Sequence, residues 1–132
     1  MRNFVVTTPK SEMLNAAREA EACRQAGGGF YFRVFRNCRP DGLDRGSKIF
    51  YVEDGYVRGF AVISDITRRN FTCEVTGQPS GFGWYAIMPA DSWRWIKPIP
   101  MKGFQGWRYW GGVFEVIGAW LDPKPELDGR LQ

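Results

Sequence analysis

The spacing of apolar and polar positions divides this chain into one helical stretch followed by a run of strands. Phe4 to Thr7 has the composition of a short first strand. Thr8 or Ser11 suits the cap of a helix, with Pro9 tolerated in its first turn. Met13, Ala16, Ala17, Ala20 and Cys23 then recur at helical spacing, while Glu12, Arg18, Glu19 and Arg24 largely take the other directions. This pattern predicts an amphipathic helix whose narrow, small-residue face lies close against a sheet. Gly27-Gly28-Gly29 ends it, because glycine accepts the left-handed conformation at a helix C-terminus.

Beyond the glycines the period changes to two. Phe30 to Arg36 places Phe30, Phe32 and Val34 on one face and Tyr31, Arg33 and Phe35 on the other. With bulk on both faces, this strand is expected at the centre of a sheet. A polar loop, Asn37 to Gly46, carries turn signals at Pro40-Asp41-Gly42 and Arg45-Gly46. Lys48 to Glu53 and Tyr56 to Asp65 read as two strands joined by Asp54-Gly55, a two-residue hairpin signal. Ile66 to Asn70 reads as a basic connection, Phe71 to Thr76 as a strand, and Gly77 to Gly83 as a loop. Trp84 to Met88 is a short strand. Pro89 to Gly112 is expected to be irregular, with one helical turn around Ala90 to Trp95. Val113 to Trp120 is the last strand.

The order is strand, helix, then strands, with no strand–helix–strand alternation, which argues against a parallel doubly wound sheet. The expected fold is α+β: a small curved mixed or antiparallel β-barrel with one N-terminal amphipathic helix packed on it. Residues 1–121 form a single domain and residues 122–132 a polar C-terminal tail. The length of 132 residues suits one domain with one real core.

Composition adds chemistry to this frame. Aromatic residues make up 16% of the chain and the net charge is +4, a mild basic excess compatible with phosphate binding. There is no His, which closes the Ser-His-Asp and Cys-His routes to nucleophilic catalysis and the usual structural zinc sites. Cys23, Cys38 and Cys73 are odd in number and contain no C-x-x-C pair, as expected of reduced thiols in a cytoplasmic protein. No cofactor or metal is expected. No apolar run approaches the roughly 20 residues needed to span a bilayer, and no membrane partner is expected.

Candidate chemistry concentrates late in the chain. Pro98 to Trp110 sets four large aromatics among two cations, an amide and two glycines. Trp84, Tyr85, Trp93 and Trp95 precede it, with Arg94 and Lys97 between. Rings beside Lys, Arg and Gln suit stacking on a flat ligand, and stacking of one base contributes roughly 1–3 kcal/mol. Trp84, Tyr109 and Trp110 lie near predicted strands and are expected in the core. Phe104 and Trp107 lie on a glycine-broken loop and are expected to be exposed. The base-binding set is therefore Trp93, Phe104 and Trp107 for stacking, Gln105 for the base edge, and Arg36, Lys102 and Arg108 for phosphates. Arg33, Arg36, Arg39 and Arg45 form a second basic group and Arg68 and Arg69 a third, each able to meet a phosphate backbone but more often a solvated face.

The order of elements resembles the PUA-like superfamily, which includes ASCH, EVE and YTH-type domains. Gly29-Phe30-Tyr31-Phe32-Arg33-Val34-Phe35-Arg36, the strand–hairpin–strand from Lys48 to Ile63 and the late tryptophans carry the resemblance. It implies a small barrel whose cleft binds RNA, or DNA with a modified or flipped base. ASCH proteins include nucleoside amidohydrolases, with a signature of approximately G-x-K-x-x-E-x-R. Aligned on Gly29 and Arg36, this chain has Tyr31 at the Lys position and Val34 at the Glu position. The departure favours a binding module over an enzyme. The expected partner is nucleic acid, with a modified base among the candidates. A protein-interaction factor of the phage or mobile-element inhibitor type and an ASCH-type nucleoside hydrolase are the alternatives. Trp, Tyr and Arg equally favour protein hot spots.

Overall fold

In the computed structural model, described over residues 1–7, 30–35, 39–72, 79–119, 122 and 125, nine strands form two sheets. The strands are β1 (Phe4–Thr7), β2 (Phe30–Phe35), β3 (Lys48–Glu53), β4 (Tyr56–Val62), β5 (Asp65–Thr72), β6 (Pro79–Pro89), β7 (Arg94–Pro100), β8 (Trp107–Tyr109) and β9 (Val116–Ala119). A 3₁₀ turn, Ala90–Ser92, joins β6 to β7. The larger sheet has six strands in the order β8-β1-β3-β4-β7-β9, and the smaller has three in the order β2-β6-β5. Only β1 and β3 run parallel; the other pairs are antiparallel.

The six-stranded sheet is apolar on both faces, and that decides the architecture. Alternation along β1 and β3 sends Phe4, Val6 and Ile49 to one face and Val5, Phe50 and Val52 to the other, and all six are buried. Two buried faces require two covers. The first cover is the small sheet: Phe35, Ala86 and Met88 close over Phe4, Val6, Ile49, Ala61 and Ile63. The second is the chain between Ile99 and Phe114, which lays Ile99, Met101, Phe104, Trp110 and Phe114 on Val5, Phe50, Val57, Phe60 and Ile96.

The expected barrel is therefore corrected. Among the described residues the strands remain two separate sheets, and no α-helix is present. The cause is the doubly apolar sheet, which is covered on each side by a layer and does not curl onto itself. The helix expected over residues 8–26, the three cysteines and Arg36 lie outside the described residues. Among the described residues no helix is long and apolar enough to cross a membrane.

The Asp54-Gly55 hairpin forms as expected, with φ of 54° and 84°, the two positive values such a turn requires. Elsewhere the register departs from expectation. β2 lies at the edge of the three-stranded sheet, not at its centre. Bulk on two faces reflects layers above and below a strand, and says nothing of neighbours beside it. The expected connection at residues 66–70 belongs to β5, and the loop expected at residues 77–83 enters β6 by Pro79. Pairing of these two strands with each other overrides the polar and glycine-rich composition of both. β7 accommodates Pro98 and Pro100 because β9 pairs only with Arg94 to Ile96, leaving the proline end free on that side.

Asp122 and Pro125 of the tail are tied to the large sheet. The Trp95 indole N–H donates to the Asp122 carbonyl at 3.3 Å, and the buried Arg58 donates to the Pro125 carbonyl.

Candidate nucleic-acid interface

The aromatic segment from Pro98 to Trp110 wraps around the large sheet and is split by it. After β7, the Met101 amide donates to the Gly55 carbonyl at 2.9 Å and the Phe104 amide to Thr7 Oγ1 at 3.1 Å. Gly106, at φ 77°, turns the chain into β8. There Trp107 pairs with Val6, Arg108 with Val5 and Tyr109 with Phe4. Neighbours on adjacent strands share a face, so Trp107 and Tyr109 follow Val6 and Phe4 toward the small sheet. Arg108 follows Val5 to the opposite face. The Trp107 ring packs 5.3 Å from Phe4 and 6.1 Å from Phe35.

Phe104 lies on the outer cover with Trp110 and Phe114, and the Arg108 guanidinium rests 4.1 Å from its ring. Lys102 and Gln105 are exposed beside it. Trp93 belongs to the inner face. Its ring covers Gly59, with Tyr51 at 5.6 Å and Trp95 at 5.2 Å, and its buried indole nitrogen has no partner among the described residues. Three rings expected to wall one pocket thus occupy separate places. Phe104 and Trp107 are on opposite faces of one sheet, and Trp93 is over β4, with β1 and β3 between it and Trp107.

A different set of residues comes together around the loop from Arg39 to Ser47. Gly42 and Gly46, at φ 82° and 94°, form its two turns. Gly42 lies so close to Arg2 that a Cβ there would sit 2.7 Å from Arg2 Cγ. Buried Leu43 and Ser47 hold the loop to the core, and Ser47 Oγ donates to the Gly42 carbonyl at 3.2 Å while accepting from the Asp44 amide at 3.2 Å. Arg39 is fixed inside this frame, donating to the Leu43 carbonyl at 2.7 Å and to Asp44 Oδ1 at 3.2 Å.

The loop delivers its cations to an aromatic face. Arg39 stands 6.0 Å from the Trp84 ring, and Arg68, directly opposite Trp84 in the β5–β6 register, stands 5.9 Å from it. Trp84, expected in the core, is half-buried against it and bordered by these two guanidinium groups. On the other side of the loop Arg2 lies 3.4 Å over the Tyr109 ring, whose hydroxyl donates to the Asp41 carbonyl at 3.0 Å. Arg45 pairs with Asp65 at 3.2 Å. Between these groups is an open depression of about 410 Å³ lined by Arg39, Asp44, Arg45, Asp65 and Ile66.

Along the sequence Arg39 and Arg45 belong to one basic group and Arg68 to another. What joins them is β5: once Asp65–Thr72 is a strand paired to β6, Arg68 must face Trp84 and Asp65 must start beside the loop. The missed signal is the alternation Ile66, Arg68 within that segment. Exposed ion pairs of the Arg39–Asp44 and Arg45–Asp65 kind contribute roughly 0–1 kcal/mol, so an incoming ligand can rearrange them at little cost. No family model, curated protein or solved structure matches the chain.

Proposed function

We propose that this protein binds nucleic acid through an unpaired base laid against Trp84, with flanking phosphates held by Arg39 and Arg68. The observation that carries this function is the half-buried Trp84 ring bordered by two guanidinium groups from separate elements. A single base stacked on an aromatic contributes roughly 1–3 kcal/mol, and guanidinium groups beside the ring meet the phosphates on either side of that base. A duplex offers no open base face, so single-stranded DNA or RNA is the expected form, modified bases included.

The test is fluorescence anisotropy with labelled single strands of about twelve nucleotides at low salt. Binding should weaken about threefold to tenfold in Arg68→Ala and in Arg39→Ala, and each change should reduce the slope of log K against log salt by about 0.7. A chain that binds no single-stranded or double-stranded DNA or RNA at low salt lacks this function.

A protein partner is the second reading, favoured by one observation. Val113, Val116 and Ile117 are 93%, 48% and 44% exposed on and beside the edge strand β9, where aliphatic side chains are usually covered.

A further inference from the structure

The depression beside Trp84 is chemically mixed, and that mixture selects a ligand. A phosphate site would gather donors and exclude carboxylates. Here two cations, Arg39 and Arg45, and two carboxylates, Asp44 and Asp65, line one depression together with Ile66. The cations and carboxylates are already matched, Arg39 with Asp44 and Arg45 with Asp65, each at 3.2 Å. Such a site offers little net charge, but it presents donors beside acceptors. Its volume, about 410 Å³, falls in the range of small-ligand sites, roughly 300–1,000 Å³.

Among the four common bases, guanine matches this pairing of donors with acceptors most fully. Its O6 and N7 are adjacent acceptors suited to a guanidinium, and its N1–H and 2-amino group are adjacent donors suited to a carboxylate. Adenine has N7 and an amino group but no neighbouring pair of donors. Thymine and uracil present a lone N–H between two carbonyls. Cytosine has one amino group and lacks the N7 acceptor.

Resting on the proposed binding of nucleic acid at Trp84, we infer that the depression reads a guanine base turned out of its strand. Arg45 donates to O6 and N7, and Asp65 or Asp44 accepts from N1–H and the 2-amino group, while Arg39 stays with the phosphate. The exposed Arg45–Asp65 pair exchanges partners on binding: the guanidinium leaves its carboxylate for O6 and N7, and a carboxylate takes the base N–H groups in return. The number of charge-assisted hydrogen bonds is thereby kept, which an all-donor pocket would not achieve.

The experiment uses the intact chain and strands of about twelve thymines carrying one central guanine, adenine, cytosine, hypoxanthine or 7-deazaguanine. The guanine strand should bind about tenfold tighter than the adenine, cytosine or all-thymine strands. Hypoxanthine, which lacks the 2-amino group, and 7-deazaguanine, which lacks N7, should each lose about threefold or more of that advantage. Asp65→Asn, at an exposed position that leaves folding intact, should reduce the guanine preference to about twofold, and Asp44→Asn should reduce it in part. Equal binding of all bases within about twofold, or a preference for a base other than guanine, overturns the inference while leaving Trp84 stacking in place. Failure of every strand to bind overturns the function on which it rests.

Discussion

Two regions of this molecule combine aromatic rings with cations, and they use them in opposite ways. The segment from Pro98 to Trp110 has the denser composition, yet its rings are absorbed by packing: Trp107 and Tyr109 against the inner face, Phe104 and Trp110 against the outer one. Its cations Lys102 and Arg108 remain at the surface with no shared ring pocket. The rim around Trp84 has a sparse composition, drawn from a loop and two strands, yet it brings Arg39, Arg68 and one accessible ring into a single site. Local density of aromatics measured how much sheet had to be covered. Convergence of distant positions made the site.

The largest effect that tests this contrast is on stability. Trp107→Ala removes a ring that touches Phe4, Phe35 and Tyr109 and should cost about 2–3 kcal/mol in urea unfolding, below the full cost for a buried Trp because this ring is half-exposed. Oligonucleotide affinity of the folded fraction should stay within about twofold. Arg68→Ala should show the reverse pattern, a stability change within about 0.5 kcal/mol and weakened binding. If Trp107→Ala abolishes binding in protein that is still folded, the wrapping segment carries the site after all.

A smaller loss is expected at Gly59. A Cβ there would lie 2.4 Å from Trp93 Cζ2 and 2.6 Å from the Arg94 carbonyl oxygen. Backbone cannot retreat as a side chain can, so Gly59→Ala should destabilise by about 1–3 kcal/mol and shift the Trp93 fluorescence. Gly55→Ala should cost about 1 kcal/mol. Its Cβ would meet nothing within 4 Å, so the cost comes from the φ of 84° alone. Equal losses at the two glycines would mean that both Trp93 and the Arg94 carbonyl give way to the added Cβ.

The elements legible in the sequence were those with a local cause. β1, β3, β4 and the Asp54-Gly55 turn follow from alternation and from a dipeptide that accepts positive φ. The elements that were not legible depend on partners. β5 and the start of β6 are strands because each supplies the other's ladder, although Arg68, Arg69, Asn70, Gly81 and Gly83 weaken any local preference. β8 is three residues long and exists because β1 offers an edge. The same distinction governs the site. The rings and cations could be listed from sequence, but the faces they occupy depend on a register shared with Phe4, Val5 and Val6. A shift of one residue in that pairing would exchange Trp107 for Arg108 on the inner face.

The smallest predicted effect decides most directly between the two regions. Arg108 is exposed and rests 4.1 Å from the Phe104 ring, a contact worth about 0.5–1 kcal/mol at an exposed site. Arg108→Ala should therefore lower stability by no more than that amount. It should also leave the guanine-strand affinity within about twofold of the parent, because Arg108 lies on the face of the sheet opposite the inner core against which Trp84 packs. The informative measurement is the pair of salt slopes for Arg108→Ala and Arg68→Ala, taken on the same strand. A reduced slope only in Arg68→Ala places the phosphates along the Trp84 rim. A reduced slope only in Arg108→Ala moves them to the outer face, where Lys102, Gln105 and the partly covered Phe104 ring would form the interface.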